Sequence, residues 1–433
     1  MIGIAILLVA AAIAHGLARW LKLPAVPLLI VAGLIINGIG VMPERALLED
    51  TLQLGLAFLV FAAGIELNPR RVGSQRAGAI RVGTAQFGVL FVIGYAAVWL
   101  LGSSVQEAIY LALALASSST LLVVRLLQQR KQMFEPSGRL VLGVLLVQDL
   151  MLILLLPILT GLPNGVGEAA RGFAGSAVLV IAAFASIRWV APLLLVRLGL
   201  DEEGVLLVTL AFLFIFIGGG VWLGLPMIAG AFLAGVALSG FPVNGIVRGQ
   251  LGPLSDFFLA VFFTALGGFI ALPAPRDLLI VAVLVALVVL VTPVLVTVIA
   301  EASGLSARPA IESGLLLAQT SEFSLVTALQ GLAIGHVREE VLTIVALVTM
   351  ISMFLTPFIA TNKMTWRLMS MHPMRKREPA REPPRDHVLL LGCGDNGMPL
   401  LETLLGTGRE VVVVDDDPAV IKLLQEADIT CIR

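Results

Sequence analysis

The amino-acid sequence predicts an all-α polytopic membrane protein whose chain ends in a partial Rossmann-like α/β segment. Composition indicates the membrane fold, because 58% of the 433 residues are hydrophobic and only 13% are charged. A mean hydropathy of +1.02 is far above that of an ordinary water-soluble domain. A glycine-rich turn between two runs of valine and leucine, near the end of the chain, indicates the α/β segment.

Thirteen apolar stretches are long enough to cross a bilayer, for which about 20 residues suffice. Clusters of charged residues, proline and glycine separate these stretches. The first has no basic residue ahead of it, so we interpret it as a retained span and not as a cleaved signal peptide. The predicted spans cover residues 2–18, 25–40, 51–67, 78–101, 106–127, 138–160, 172–196, 204–220, 225–240, 254–271, 278–300, 310–332 and 340–360.

The loops between these spans carry unequal numbers of Lys and Arg. Loops after even-numbered spans contain four, namely Arg45, Arg171, Arg276 and Arg338. Loops after odd-numbered spans contain ten, namely Arg19, Lys22, Arg70, Arg71, Arg76, Arg130, Lys131, Arg197, Arg248 and Arg308. Because loops rich in Lys and Arg stay in the cytoplasm, this bias predicts an external N-terminus and a cytoplasmic C-terminus. We expect the membrane to be a bacterial inner membrane.

The character of the chain changes after the last span. Residues 1–362 are predicted to form the membrane domain, and the basic, Pro-rich residues 363–386 a linker. The linker's basic residues either bind anionic membrane lipid or only enforce the topology. Residues 387–433 follow a strand, turn, helix, strand pattern and predict the first part of a Rossmann-like domain. The pattern stops too early for a complete domain, which suggests a truncated form of a longer protein.

Two acidic residues are predicted to lie near the middle of spans. Asp149 occupies the sixth span, in VLLVQDLMLI, and Glu322 the twelfth, in LLLAQTSEFSLV. An ionisable group at that depth costs several kcal/mol unless it is paired or hydrated, so both are candidates for a transport site. The alternative for each is a buried acid that neighbouring hydroxyl groups hold for packing alone.

Polar residues interrupt two of the apolar spans. Ser117 to Thr120 lie within the fifth span, and Gln319 to Glu322 lie within the twelfth. Ser and Thr compete for the helix's own carbonyl groups, so both places are candidates for unwound segments, although such residues also mediate ordinary helix packing. The interruptions are seven spans apart and therefore run in opposite directions, as inverted repeats with two crossed discontinuous helices require.

Five stretches of the membrane part have the pattern of a known family: FAAGIELNPRR (61–71), LALASSSTLLVVRLL (113–127), GRLVLGVLLVQDL (138–150), GLPMIAGAFLAGVALSG (224–240) and LLLAQTSEFSLV (315–326). They resemble the Kef-type potassium/proton antiporters of the second monovalent cation/proton antiporter family. The resemblance covers the whole membrane part in the right order. It implies thirteen spans in a homodimer, with a dimerisation scaffold and a mobile core that contains the crossed, broken helices.

The resemblance also implies roles for individual residues. It makes Asp149 the group that alternately binds a proton and K⁺ or Na⁺, with Gln148 where sodium-selective relatives carry a second acid. One departure concerns the eleventh span, where relatives often carry a Lys and this sequence has Thr292. The remaining implied site residues are Ser118, Ser119 and Thr120 at the first break and Gln319, Ser321 and Glu322 at the second.

The C-terminal segment contains a G-x-G-x-x-G motif. Its glycines, Gly392, Gly394 and Gly397, directly follow a predicted strand and precede a predicted helix, and Asp415 ends the next strand. Such glycines admit a pyrophosphate at a helix N-terminus, and the acid can accept a hydrogen bond from a ribose. The family resemblance implies a regulatory domain that binds NAD(H) or an adenine nucleotide. One alternative is a nucleotide-type fold that binds no ligand. Another is that Asp416, and not Asp415, contacts the ribose.

Together with these patterns, the family resemblance implies a secondary antiporter that exchanges a monovalent cation for H⁺ by alternating access under nucleotide control, with K⁺ as the first candidate. We expect no nucleic-acid partner, since the net charge is −1, and we do not expect an enzyme. The two cysteines, Cys393 and Cys431, indicate no disulfide framework. Sodium/proton exchange, a nucleotide-gated K⁺ efflux channel and a membrane-anchored NAD-dependent oxidoreductase are the alternatives. No TVGYG-like filter supports the channel, and no catalytic domain follows the glycine motif.

Overall fold

The structure of the protein is a computed structural model that divides into two units, residues 1–372 and 373–433. The first unit is helical, and the second contains a small parallel sheet. The described residues are 2–432 except 22, 41–44, 68–74, 162–164, 241, 271–272, 372–386, 395–396, 407, 409, 416–419, 421–422, 425–426 and 428.

The first unit contains helices α1 to α17. Three turns of wider π-helix occur between them: Ser186–Val190 and Leu193–Arg197 extend α8, and Leu287–Val291 joins α12 to α13. The helices are α1 (Ile2–Leu21), α2 (Ala25–Gly38), α3 (Arg45–Glu66), α4 (Arg76–Leu100), α5 (Val105–Ala116), α6 (Thr120–Gln129), α7 (Pro136–Gly161), α8 (Val166–Ala185), α9 (Glu202–Trp222), α10 (Met227–Ala237), α11 (Val243–Phe269), α12 (Pro275–Ala286), α13 (Thr292–Ala302), α14 (Ala307–Leu316), α15 (Glu322–Ala333), α16 (Glu339–Ile359) and α17 (Asn362–Met371).

The predicted membrane fold is confirmed. Within the described residues, nine helical stretches are long and apolar enough to cross a membrane, and three shorter apolar helices accompany them. Together with the pair α14 and α15, they occupy the thirteen predicted spans. The tenth span begins earlier than predicted, at Val243. Its first turns are polar, but Arg248 forms an ion pair with Glu66 and Asp256 forms one with Arg125, so these charges are neutralised on the helix.

The helices form two groups. One group contains α1 to α3 and α8 to α11, and the other contains α4 to α7 and α12 to α16. Contacts between the groups are sparse apart from the hairpin of α7 and α8, whereas helices within a group pack along their lengths. This division agrees with the expected scaffold and core, and both broken helices lie in the second group.

Two glycine crossings hold the first group together and show the inverted repeat. Gly33 on α2 faces Gly267 on α11, and a Cβ on Gly267 would lie 2.2 Å from a backbone oxygen of α2. Gly64 on α3 faces Gly235 on α10, and a Cβ on Gly235 would lie 2.1 Å from a backbone oxygen of α3. Since the repeat relates spans seven apart, the pairing of spans two and ten is the counterpart of the pairing of spans nine and three.

The segment expected to be a linker begins as a helix. Helix α17 packs on α14, and the guanidinium of Arg308 lies 5.3 Å from the ring centroid of Trp366. Met364 and Leu368 of α17 pack against the apolar core of the first unit. Polar residues separate these apolar residues in the sequence, so the hydropathy of the segment is too low to predict a membrane helix. The Pro-rich remainder, 372–386, lies outside the described residues.

The second unit contains a three-stranded parallel sheet in the order β1, β2, β3. The strands are β1 (Val388–Leu391), β2 (Val411–Val414) and β3 (Cys431–Ile432), and helix α18 (Gly397–Leu405) lies between β1 and β2 in sequence. Val388 pairs with Val411, and Val413 pairs with Cys431. The turn between β1 and α18 therefore carries the glycine motif.

Candidate functional site

The first helix break separates α5 from α6. Ser117 (φ −116°, ψ 148°) and Ser119 (φ −66°, ψ 119°) have extended backbones, so the helix cannot continue through them. The hydroxyl of Ser119 accepts a hydrogen bond from the N–H of Leu122 and so caps the N-terminus of α6. The serine run that predicted an unwound segment thus stops one half-helix and starts the next.

The second helix break separates α14 from α15. Ser321 (φ −95°, ψ 157°) is extended, and its hydroxyl accepts a hydrogen bond from the N–H of Phe323. Thr320 is anchored to α16, because its hydroxyl lies 3.0 Å from that of Thr349 and its N–H donates to the hydroxyl of Ser352. The four residues from Gln319 to Glu322 are buried, as are Ser117 to Thr120. Both predicted breaks are therefore confirmed.

The two breaks bond directly to each other. The hydroxyl of Ser118 donates to the carbonyl oxygen of Leu317 at 2.8 Å, and the hydroxyl of Ser119 donates to Oε1 of Glu322 at 2.5 Å. In return, the hydroxyl of Ser324 donates to the carbonyl oxygen of Ala114 at 2.6 Å. These bonds place Glu322 at the N-terminus of α6, where the helix dipole favours a negative charge.

Asp149 lies on α7 beside the first break and is fully buried. The hydroxyl of Thr120, the first residue of α6, donates to its Oδ2 at 2.9 Å. Its other oxygen, Oδ1, has no hydrogen-bond partner among the described residues. A carboxylate with an open oxygen in a low-dielectric interior is stabilised by a proton or a cation, so this arrangement can bind either one.

Two glutamines contact the breaks in different ways. Oε1 of Gln148 accepts from the N–H of Ser118 at 3.1 Å, which ties α7 to the first break. Among the described residues, Gln319 bonds only within its own break, where its Nε2 donates to the carbonyl oxygen of Leu316 at 3.4 Å. The structure therefore brings Gln148, Asp149, Ser118, Ser119, Thr120 and Glu322 together. In the described part of the chain, Gln319 and Ser321 make hydrogen bonds only within the second break.

Thr292, at the position where relatives often carry a Lys, is the first residue of α13 and is fully buried. Its hydroxyl has no hydrogen-bond partner among the described residues. Helix α13 packs closely on α14, since a Cβ on Gly314 would lie 2.6 Å from the carbonyl oxygen of Pro293. The eleventh span contains no Lys or Arg between Leu278 and Ala300, so it supplies no cationic partner for a carboxylate.

Sequence reasoning did not single out Gln86, a buried residue of α4. Its Nε2 donates to the hydroxyl of Ser118 at 3.1 Å, so it belongs to the same hydrogen-bonded network. The signal was present, because Gln86 is a polar residue in the middle of an apolar span. A single polar residue is weak evidence without knowledge of what it faces.

Two cavities lie between the helix groups, towards opposite ends of the bundle. The first has a volume of about 410 Å³, and its walls include Arg19 of α1 and Arg125 of α6, with Glu322 also in its lining. The second has a volume of about 610 Å³ and is lined by residues of α3, α10, α11 and α15, including Gln53 and Gln330. Neither cavity is lined by Asp149, so its carboxylate is closed off from both.

The described glycines of the motif in the second unit form a tight turn. Gly392 has a φ of +83°, and a Cβ on Gly397 would lie 2.4 Å from the carbonyl oxygen of Gly392. Among the described residues, a Cβ on Gly394 would meet nothing within 4 Å. Asp415 accepts a hydrogen bond from the N–H of Cys393, and burial raises the pKa of that cysteine. These features fit a nucleotide; Asp416 lies outside the described residues.

Comparisons with known proteins agree with this architecture. The family model described as "Sodium/hydrogen exchanger, transmembrane" matches residues 4–362. The chain is 28% identical to the glutathione-regulated potassium-efflux system protein KefC of Salmonella typhimurium, over 92% of this chain and 66% of that protein. It is also 28% identical to K(+) efflux antiporter 4 of Arabidopsis thaliana, over 78% of this chain and 59% of that protein.

A solved structure shows the same fold. The sodium proton antiporter MjNhaP1 of Methanocaldococcus jannaschii matches with a TM-score of 0.66 and 16% identity, over 84% of this chain and 97% of that one. The resemblance to Kef-type antiporters inferred from the sequence motifs is confirmed by the two curated relatives. The chain spans less than two thirds of the length of those relatives.

Proposed function

This chain belongs to the transmembrane sodium/hydrogen exchanger family, and we propose that it exchanges a monovalent cation for protons by alternating access. The observation that carries the proposal is the open oxygen of the buried carboxylate of Asp149, beside the crossing of two broken helices. A proton and a partly dehydrated cation compete for that single carboxylate. Binding of one therefore requires release of the other, which is the condition for exchange.

The arrangement of helices supports the alternating step. The two cavities lie on opposite sides of the crossing, each between the two helix groups. Movement of the second group along the first opens one cavity towards Asp149 while it closes the other. Sparse contacts between the groups favour such a movement, and the hydrogen bonds between the breaks keep the site intact while it moves.

We extend the proposal to the cation, the membrane and the assembly. Potassium is the proposed substrate, because the curated relatives are named as potassium efflux proteins. The excess of Lys and Arg in the loops after odd-numbered spans supports a bacterial inner membrane location with a cytoplasmic C-terminus. The exposed apolar face of α9, which includes Trp222 and Ile215, supports a homodimer or contact with lipid at the scaffold. The protein acts as a transporter and not as an enzyme.

The proposal is tested by replacing the proposed exchange carboxylate. In reconstituted vesicles the Asp149→Asn protein should show no cation-driven proton movement with K⁺, Na⁺ or Li⁺, because an amide can neither bind a proton nor neutralise a cation at neutral pH. Comparable insertion and thermal stability would show that the fold is kept. Exchange at the wild-type rate in this variant would rule out the site.

A matched control is available in the same chain. Asp201 caps the N-terminus of α9, where its carboxylate accepts from the N–H of Gly204 at 2.9 Å. Asn caps helices as well as Asp does, so the Asp201→Asn protein should exchange cations at the wild-type rate. A loss of activity in both variants would point to a general effect of the substitution.

We further propose that the second unit regulates exchange by binding NAD(H) or an adenine nucleotide. The turn formed by Gly392, Gly394 and Gly397 would hold a pyrophosphate, and Asp415 would hold a ribose. NAD, NADH, ATP or AMP should raise the thermal unfolding temperature of the purified protein, and the Asp415→Asn protein should require more ligand for the same rise. No shift with any of the four would contradict nucleotide binding, whereas an equal shift in both proteins would remove only the ribose assignment.

A further inference from the structure

Gln86 lies on α4, a helix that carries none of the other site residues. It is 1% exposed and lies one turn after Gly83 on α4. The lack of a side chain at Gly83 lets α4 approach α7, since a Cβ there would lie 3.0 Å from Cγ1 of Val147. Val147 directly precedes Gln148 and Asp149, so Gln86 lies where α4 meets the stretch of α7 that carries the exchange carboxylate.

The hydrogen bonds of Ser118 fix the orientation of the Gln86 amide. A serine hydroxyl has one hydrogen, and at 2.8 Å from the carbonyl oxygen of Leu317 it must donate that hydrogen, because two oxygens so close would otherwise repel. Towards Gln86 the same hydroxyl can therefore only accept. Gln86 presents its NH₂ group to Ser118 at 3.1 Å, and its Oε1 is directed elsewhere.

The backbone of Ser118 fixes the amide of Gln148 in the opposite sense. The N–H of Ser118 can only donate, so Gln148 presents Oε1 to it at 3.1 Å and keeps Nε2 for other contacts. Among the described residues, the buried atoms without a hydrogen-bond partner include Oε1 of Gln86, Nε2 of Gln148 and Oδ1 of Asp149. Oγ of Ser117 and Oε1 of Gln319, at the two breaks, are also without one. The free end of Gln86 is thus an acceptor, and the free end of Gln148 is a donor.

We propose that Gln86 supplies a side-chain amide oxygen to the transported cation, whereas Gln148 is a positioning residue that holds Ser118 at the helix break. The inference rests on the proposed exchange function. A cation that loses part of its hydration shell needs oxygen ligands in its place, and an amide oxygen supplies one without changing the charge of the site. The oxygen of Gln148 already accepts a hydrogen bond from Ser118, and its free NH₂ group would repel a cation.

The test compares two substitutions that remove an amide but keep the length of the side chain. Gln86→Met should raise the KM for the cation roughly two- to tenfold, the range expected for one lost polar contact, and change the order of preference among K⁺, Na⁺ and Li⁺. Gln148→Met should lower the maximum rate of exchange and leave the KM and the preference unchanged. Initial rates of proton movement, measured in vesicles over a range of cation concentrations, separate the two effects.

An unchanged KM and preference in the Gln86→Met protein, or the reverse assignment of effects to the two glutamines, would overturn the inference. If Gln86→Met does not fold, Gln86→Glu keeps both length and oxygen and adds an acid to the site. That protein should show a changed cation preference, and an unchanged preference would likewise contradict the role of Gln86. A wild-type protein without exchange would instead contradict the proposed function.

Discussion

At the scale of single residues, the helix breaks are stable because side chains replace the lost backbone hydrogen bonds. The carbonyl oxygen of Ala114, near the end of α5, would accept from the N–H of Ser118 in a continuous helix. That N–H donates instead to Gln148, and the hydroxyl of Ser324 takes its place at Ala114. A buried carbonyl without a donor is costly where no water can reach it, so Ser324 helps to keep the first helix broken.

This role predicts the effect of removing one hydroxyl. Ser324→Ala should lower the free energy of unfolding by about 1 kcal/mol, the usual contribution of one buried hydrogen bond. The measurement is unfolding in mixed detergent micelles. Ser313→Ala on α14 is the control, because that hydroxyl donates to the carbonyl oxygen of Pro309 within its own helix. If both variants lose the same stability, the bond between the breaks has no special role.

At the scale of elements, the scaffold depends on glycines that let helices touch through their backbones. Gly235 on α10 faces Gly64 on α3 and is the more tightly confined of the two. A Cβ on Gly235 would lie only 2.1 Å from a backbone oxygen, against 2.4 Å for a Cβ on Gly64. Small residues allow such close crossings inside membranes, where packing rather than hydrophobicity drives association. A methyl group at this position has no room unless the two helices move apart.

Gly235→Ala should therefore lower the stability of the protein by about 1–3 kcal/mol, the usual cost of overpacking. The midpoint of thermal unfolding in detergent reports this loss. Gly249→Ala on α11 is the matched control, because a Cβ there would meet nothing within 4 Å and Ala is the better helix former. A Gly235→Ala protein as stable as the control would mean that the α3 and α10 crossing relaxes without cost.

Elements also show how much of the site the sequence could predict. The breaks at Ser117–Thr120 and Gln319–Glu322 were predictable, because runs of hydroxyl residues inside an apolar span leave a local signal. Gln86 and the early start of α11 were not, because each depends on a contact with a distant element: Ser118 for Gln86, and Glu66 for Arg248. Local patterns identify unusual backbone, whereas the partner of a buried polar residue is decided by tertiary packing.

At the scale of the whole molecule, the two helix groups of the first unit enclose a cavity towards each end of the bundle, and Asp149 lines neither cavity. Asp149 and the crossing beside it both lie within the second group, so in the proposed exchange cycle the site moves with that group. Glu322, which lines the first cavity, is held by Ser119 at the N-terminus of α6. The charge that travels with the group therefore decides whether a membrane potential can drive exchange.

We expect exchange to be electroneutral, with one cation for each proton. Of the adjacent residues Gln148 and Asp149, only Asp149 can ionise. The eleventh span supplies no Lys. One proton or one monovalent cation neutralises this charge equally, so both loaded forms cross the low-dielectric region uncharged. The empty carboxylate is penalised by desolvation, which discourages movement without a substrate.

The measurement uses vesicles with equal cation concentrations and equal pH on both sides. A gradient of the permeant anion thiocyanate imposes a potential, and internal pH is followed. An uncompensated charge would couple to the potential at about 2.3 kcal/mol per 100 mV, so electroneutral exchange should produce no protein-dependent change in pH. A change that vanishes in the Asp149→Asn protein would disprove electroneutrality. If it also vanishes in Glu322→Gln while exchange persists, Glu322 carries the second proton, because an amide at that position keeps an oxygen for Ser119 but cannot titrate.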